Sequence, residues 1–475
     1  MMQGEQAEQP KRLAMVLPHL GVGGAQRVAA MLANWWADQG LQVDLITLMN
    51  RPEDFYELRP EVKRYILMKD EEKLNSSAML SRSVLVSPEM NRVDRLRLAA
   101  EKYVLERLNT KQTWARTEDA SGRGRALAQA VKSRDVISGL ILLPLIFVNV
   151  TTTTARKFAL AVGKAAYENQ ALGPLANAYL PLLRASFWRV KTLRTLLKRL
   201  RPDAVLSFLG ATNIITVAAS KGLPSRIVIS ERNDPARQKL DKPWQDLRPI
   251  IYPLADVVTA NSHGALESME SYCSKSQLQY ARNPILFSQG MNRIRTNSIL
   301  FLGRLVPQKA PDILLEAFAL FVKEYPDWTL QIVGDGPAEN ELVAQARDRG
   351  IADRVVFHGL VKDPAPLLNQ SRIFALPSRF EGTPNALLEA MASGLACVVS
   401  DASPGPLRLI EHGTNGLVVK VDDPEDLATT LKSLARDPLL VEQFGKAARE
   451  GIKEFQIDRV AADWEDLLFG KRVSV

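Results

Sequence analysis

Between residues 298 and 400 the chain alternates short apolar runs with helix-length amphipathic segments, and that alternation narrows the architecture more than any other feature. SILFLG, TLQIVGDG, RVVFHG, RIFALPS and ACVVSD are apolar or β-branched runs that break at glycine, proline or polar residues. PDILLEAFALFVKEY, AENELVAQARDRG and NALLEAMASG lie between them and carry apolar residues at helical spacing. Strands without polar alternation are buried on both faces, which calls for a parallel sheet with helices packed above and below it.

The chain opens on the same unit. RLAMVL reads as a buried strand ending in the turn HLGVGGAQ, and residues 27–39 follow as a helix with Val28, Met31, Leu32 and Trp35 on one face. LQVDLITL is the next strand, and AVLSFL, RIVIS and VVTAN come later. At 475 residues the chain exceeds one ordinary core. The expectation is therefore α/β: two Rossmann-like domains, 11–290 and 291–455, joined in the region of residues 283–297. With 46% hydrophobic and 24% charged residues it is a folded globular chain.

Residues 75–200 break this rhythm, because a crossover needs only one helix; they are expected to form a long helical insertion in the N-terminal domain. Residues 79–201 hold 22 Lys and Arg against 8 Asp and Glu, so the net charge of +8 comes from this segment and the rest of the chain is acidic. Such a block suits an anionic partner: phospholipid, a lipid-linked diphosphate or nucleic acid. Inside it, residues 136–155 carry no charge, long enough to span a bilayer but interrupted by Pro144 and Asn149. A buried pair of helices or an interfacial segment with basic flanks fits them better than a span. The polar MMQGEQAEQPKR lacks a secretory apolar stretch, and Cys273 and Cys397 are too few for a disulfide framework. A reducing, cytoplasmic setting follows, with peripheral membrane association through the insertion.

Two stretches carry chemistry. In FLGRLVPQKAPDILLEA a strand ends at Gly303 and releases Arg304 and Lys309 into a loop beyond its carboxyl end, where ligands of open α/β sheets bind. An Arg fork and a Lys ammonium suit a diphosphate, whose charge grows as it leaves; a solvated surface loop would carry the same residues. In PSRFEGTPNALLEAMASGLACVV, Thr383, Pro384 and Asn385 read as a helix start whose amides face a bound anion. Glu381 and Glu389 are spaced to face one cleft. Carboxylates accept hydrogen bonds from vicinal hydroxyls of ribose or a hexose, and Glu389, set among apolar residues, requires a partner if buried.

Taken in order, GGAQRV, GRLVPQK, IVGDGP, VVFHG and PSRFEGTPNALLEAMASG followed by VVS resemble the retaining, family-4 type of nucleotide-sugar glycosyltransferase (glycosyl transferases group 1) with the GT-B fold. The resemblance is strongest from Leu302 to Asp401. It implies that Arg304 and Lys309 bind the donor diphosphate, that Glu389 holds the ribose and that Glu381 holds the transferred sugar. Gly382, Thr383 and Pro384 would shape the phosphate-capping turn, with Asn385 beginning its helix. Gly334, Gly336 and Gly359 would line the nucleotide base beside Gly303, and Gly23 and Gly24 would let the N-domain backbone approach the diphosphate. The final segment, 456–475, would return as a helix to the N-terminal domain. The co-substrate would be a UDP- or GDP-sugar, with no cofactor and no metal, in keeping with the absence of a D-x-D motif.

Many relatives carry an N-domain histidine near the reacting sugar, whereas here the comparable strand end reads ISERNDP. Glu231, Arg232 and Asn233, together with His19 and His263, are the acceptor-side candidates. The expected activity is transfer of a hexose or N-acetylhexosamine to a lipid-linked or surface-polysaccharide acceptor, as in lipopolysaccharide or exopolysaccharide biosynthesis. A GT-B enzyme using a soluble acceptor, a sugar-nucleotide epimerase and a basic scaffold or nucleic-acid-binding protein are the alternatives. The aromatic residues scattered through the insertion argue against the last.

Overall fold

The computed structural model describes residues 11–49, 54–67, 173–236, 240–241, 244–287 and 295–470. Two parallel sheets organise them. The first has strand order β3-β2-β1-β4-β5-β6-β7. It runs through β1 (Arg12–Leu17), α1 (Gly24–Asp38), β2 (Gln42–Thr47), β3 (Lys63–Ile66), α2 (Gly173–Leu200), β4 (Ala204–Phe208), α3 (Gly210–Ser220), β5 (Arg226–Glu231), α4 (Trp244–Ile251), β6 (Val257–Ala260), α5 (His263–Met269) and β7 (Leu278–Tyr280). The second has order β10-β9-β8-β11-β12-β13. Its elements are β8 (Ser298–Leu302), α6 (Pro311–Phe321), β9 (Thr329–Val333), α7 (Glu339–Asp348), β10 (Val355–Phe357), α8 (Ala365–Gln370), β11 (Ile373–Leu376), α9 (Asn385–Ala392), β12 (Ala396–Ser400), α10 (Pro404–Leu407), β13 (Leu417–Val419), α11 (Pro424–Arg436) and α12 (Pro438–Gly451). β4, β11 and β12 are buried along their length, and β1 along all but its first residue, because helices cover both faces of each sheet.

Strand order reverses between β1 and β4 in the first sheet and between β8 and β11 in the second. These switch points open a crevice at the strand carboxyl ends. The loop with Arg304 and Lys309 leaves β8, and the turn with Glu381 leaves β11, so the two charged stretches meet at one switch point. The GVGG turn leaves β1 at the other.

The insertion expected over 75–200 needs a correction at its end. From Gly173 the chain is α2, the crossover helix into β4; Val190, Leu193, Leu196, Leu197 and Leu200 are buried in the core beside Ile214, Ile215 and Tyr252. Residues 68–172, with the uncharged stretch 136–155, lie outside the described residues. Among the described residues no helix is long and apolar enough to cross a membrane.

After α12 the chain returns to the first sheet as α13 (Ile457–Phe469). Val460, Trp464 and Leu468 are buried against its core, and the Trp464 and Phe208 rings lie 6.0 Å apart. Arg226 Nε donates to the Leu467 carbonyl at 2.8 Å, fixing the end of that helix to β5.

Candidate donor site

The loops after β8, β9 and β10 run in contact. Gly334, at φ +135°, packs so closely on the Gly303 carbonyl that a Cβ would sit 1.9 Å from its oxygen. The Gly334 amide donates to the Gly359 carbonyl at 2.8 Å, and the Leu305 amide to the Asp335 carbonyl at 2.7 Å. The structure thus brings Gly303, Gly334, Gly336 and Gly359 together beyond the carboxyl ends of neighbouring strands of the second sheet.

Lys309 leaves this loop in a short 3₁₀ turn, Pro307–Lys309, and pairs with the Glu381 carboxylate. Their side chains are 17% and 8% exposed, so the pair is largely withdrawn from water. Glu381 also accepts from the Ser378 hydroxyl at 2.8 Å, and its amide donates to Ser403 Oγ at 2.8 Å. The 378–385 turn is further held by α10, where a Cβ on Gly405 would fall 1.6 Å from the Gly382 oxygen. Arg304 is exposed in the same loop. A cation, a carboxylate and a helix start therefore meet at the switch point, an arrangement suited to an anionic, hydroxylated ligand.

Pro384 stands just before α9, which begins at Asn385. Glu389, in the second turn, is 6% exposed. Burial pushes its carboxyl up to about 7, opposed by the charge of Arg27 from α1, whose Nη1 lies 2.9 Å from Oε2. Arg27 thus meets Oε2 at ion-pair distance, and among the described residues no second donor reaches that oxygen.

The 382–385 turn touches residues of the first-sheet part of the chain at several points. Asn385 Nδ2 donates to the Gly24 carbonyl at 3.2 Å, and Asn283 Nδ2 to the Thr383 carbonyl at 3.3 Å. The Thr383 hydroxyl donates to the Asn261 carbonyl. Gly24 and the 382–385 turn thus meet across the cleft, with Gly23 tied to Tyr56, whose hydroxyl donates to the Gly23 carbonyl at 3.1 Å.

Two acceptor-side candidates differ from expectation. Glu231 and Arg232 are 2% and 9% exposed and committed to internal partners, not presented to an acceptor. Glu231 accepts from the Tyr252 hydroxyl at 2.7 Å and lies 3.6 Å from Arg248 Nη2, while Arg232 donates to Asn283. Tyr252 in turn accepts from Asn213 Nδ2 at 3.1 Å, extending the network to α3. Burial lowers Arg232 to about 10, against the opposing charge of Glu231. Asn233 is exposed, His19 is half-buried and accepts the Gly21 amide at 3.0 Å on Nδ1, and exposed His263 stacks on Tyr280 at 4.7 Å.

Sequence reasoning missed Arg27, Asn261, Asn283, Ser378 and Ser403. Arg27 and Ser378 stood inside motifs already singled out; the others act through contacts that only the folded chain creates.

Residues 288–451 match the family model described as glycosyl transferases group 1. A Campylobacter jejuni enzyme, GalNAc-alpha-(1->4)-GalNAc-alpha-(1->3)-diNAcBac-PP-undecaprenol alpha-1,4-N-acetyl-D-galactosaminyltransferase, is 29% identical over 291 residues, 60% of this chain and 80% of its own. An Escherichia coli UDP-Gal:alpha-D-GlcNAc-diphosphoundecaprenol alpha-1,3-galactosyltransferase is 33% identical over 152 residues, 31% of this chain and 39% of its own. The crystal structure of Anabaena HepE in complex with UDP superposes with a TM-score of 0.60 at 14% identity, covering 96% of this chain and 99% of that one. At that identity the likeness shows the fold, which is GT-B. The chain is a GT-B glycosyltransferase whose residues 288–451 match the glycosyl transferases group 1.

Proposed function

We propose that the enzyme transfers a hexose or N-acetylhexosamine, with retention and without a metal, from a UDP- or GDP-sugar to a lipid-linked or surface-polysaccharide acceptor. The observation that carries this reading is the Lys309–Glu381 pair at the switch point, beside glycine-lined strand ends and the start of α9. Lys309 and Arg304 take the diphosphate, and the amides of the Gly382–Thr383–Pro384 turn and Asn385 cap it. Glu381, steadied by Ser378, accepts from hydroxyls of the transferred sugar. Glu389 accepts from the ribose, Gly303, Gly334, Gly336 and Gly359 border the base, and Gly23 and Gly24 close over the phosphates.

The acceptor hydroxyl attacks the anomeric carbon on the face from which the diphosphate departs. The C1–O bond breaks with its electron pair passing to the diphosphate, and the departing phosphate oxygen takes the acceptor proton. Charge accumulates on the leaving group, so the two cations are worth more in the transition state than in the ground state. The acceptor approaches from the first sheet, near Asn233, His19 and His263.

The names of the relatives favour the acceptor class: the C. jejuni and E. coli enzymes act on sugars carried by undecaprenyl diphosphate. The basic stretch 79–201 supports a peripheral position on the cytoplasmic face of the membrane. Transfer from a panel of UDP- and GDP-sugars to an undecaprenyl-diphosphate-linked sugar tests the reaction, with a soluble glycan as the contrasting acceptor. Flotation with anionic liposomes tests the position; full-length protein that stays at the bottom of the gradient removes the membrane part alone.

A further inference from the structure

Arg27 belongs to the GGAQRV motif, yet the donor-site roles above leave it without a task. It sits in the first turn of α1, and its side chain, 31% exposed, spans the cleft to the 7%-exposed side chain of Glu389. Val28 and Met31 from the same helix, with Ile285 and Leu388, line the walls around the pair. An isolated carboxylate in such surroundings takes up a proton, and burial does push Glu389 up to about 7. Once protonated, it offers a hydroxyl where a ribose needs acceptor oxygens. Asp363, ahead of α8, adds to the upward push; Arg27 is the charge that opposes it. On α12, which also packs against α9, Arg449 is engaged with the Ala392 carbonyl at 2.7 Å. Arg27 Nη1 lies 2.9 Å from Oε2, and among the described residues no other donor reaches that buried oxygen, so Arg27 alone compensates its charge.

We propose that Arg27 is a positioning residue for the donor nucleoside: by meeting Glu389 across the cleft, it favours the charged form of that carboxylate and fixes it in place for the ribose hydroxyls. Nucleotide grip then depends on closure of the two halves, since opening removes the cation from Glu389. The neutral contacts of Asn385 with Gly24 and of Asn283 with Thr383 register that same closure. The inference rests on the reading that Glu389 takes the ribose.

The test is calorimetric binding of UDP, or of GDP if UDP does not bind, to the full chain and to Arg27→Gln, Arg27→Lys, Glu389→Gln and the Arg27→Gln/Glu389→Gln double variant. The same titrations use the 2′-deoxy nucleotide. Arg27→Gln is expected to weaken the ribonucleotide about tenfold, with Arg27→Lys recovering most of the loss. With the 2′-deoxy nucleotide, the gap between wild type and Arg27→Gln narrows several-fold. The double variant binds no worse than Glu389→Gln alone, because the arginine acts through that carboxylate. Equal losses for the ribo- and deoxynucleotide, additive losses in the double variant, or an unchanged affinity in Arg27→Gln would overturn the proposal. A wild-type chain that binds neither UDP nor GDP overturns instead the donor reading on which it rests.

Discussion

Replacing Lys309 with methionine separates a catalytic cation from a structural one. In the structure Lys309 neutralises Glu381, which is 8% exposed and has Ser378 as its other side-chain partner. Removing the ammonium strands a mostly buried carboxylate, a loss of about 3 kcal/mol for a pair of this burial. The same change removes a cation from the leaving group. A unit charge about 4 Å from a phosphate oxygen is worth roughly 4 kcal/mol at an effective dielectric of about 20. If half of that interaction develops only as the C1–O bond breaks, kcat falls on the order of 30-fold. The double variant Lys309→Met/Glu381→Gln removes the stranded charge, so it recovers most of the stability and none of the rate. Thermal melts and nucleotide release, measured with the UDP- or GDP-sugar that the wild type turns over, read the two effects separately. A double variant that regains activity along with stability, or a single variant within threefold of wild-type kcat, refutes the assignment of Lys309 to the leaving group.

Glu389 makes both stability and donor binding depend on pH. Its folded value, about 7, lies above the ordinary 4.5, so the folded chain keeps a proton that the unfolded chain releases. That contribution is fully present below about 4.5 and is lost as pH rises to about 7; Glu389→Gln should flatten this part of a melting-temperature profile between pH 5 and 8. Donor affinity moves the other way, strengthening as pH climbs through about 7 and the carboxylate becomes an acceptor, which titrations at pH 6 and 8 would detect. Trp464 is fully buried beside Phe208, so Trp464→Ala should cost about 3–5 kcal/mol in urea unfolding. Gly405→Ala drives a methyl into the Gly382 carbonyl and shifts the 378–385 turn, and a fall in kcat/KM on the order of 10²-fold is expected.

The parts of the fold legible in advance were those with long apolar contrast. β1, β8, β11 and β12 announce themselves because strands buried on both faces carry long apolar runs, while Asp44 interrupts β2 and Gln331 interrupts β9 without hiding either. β3 (KRYI), β7 (LQY) and β13 (LVV) are short and half-buried at sheet edges, where apolar contrast is weak. α2 lies in a basic stretch: Val190, Leu193, Leu196 and Leu197 keep helical spacing, but their charged neighbours give the segment the composition of a surface and not of a core. In the site, Lys309 and Glu381 follow strands that become neighbours, so motif order already pointed to their meeting. The partnership of Arg27 with Glu389 joins the first and ninth helices, and no local pattern encodes it. Glu231 and Arg232 are a related case: a charged pair at a strand end looks open in sequence, and its burial shows only once Tyr252 and Arg248 are in place.

The central claim is glycosyl transfer from a nucleotide sugar bound at the second switch point. Mass spectrometry of an undecaprenyl-diphosphate-linked acceptor, incubated with the enzyme and a panel of UDP- and GDP-sugars, tests it most directly when free nucleotide is followed in the same samples. The account predicts an acceptor heavier by one hexose or N-acetylhexosamine with one nucleoside diphosphate released per product, and loss of both signals in Glu381→Gln. Nucleotide turnover that leaves lipid-linked and soluble glycan acceptors unmodified, or product formation undiminished in Glu381→Gln, would contradict it.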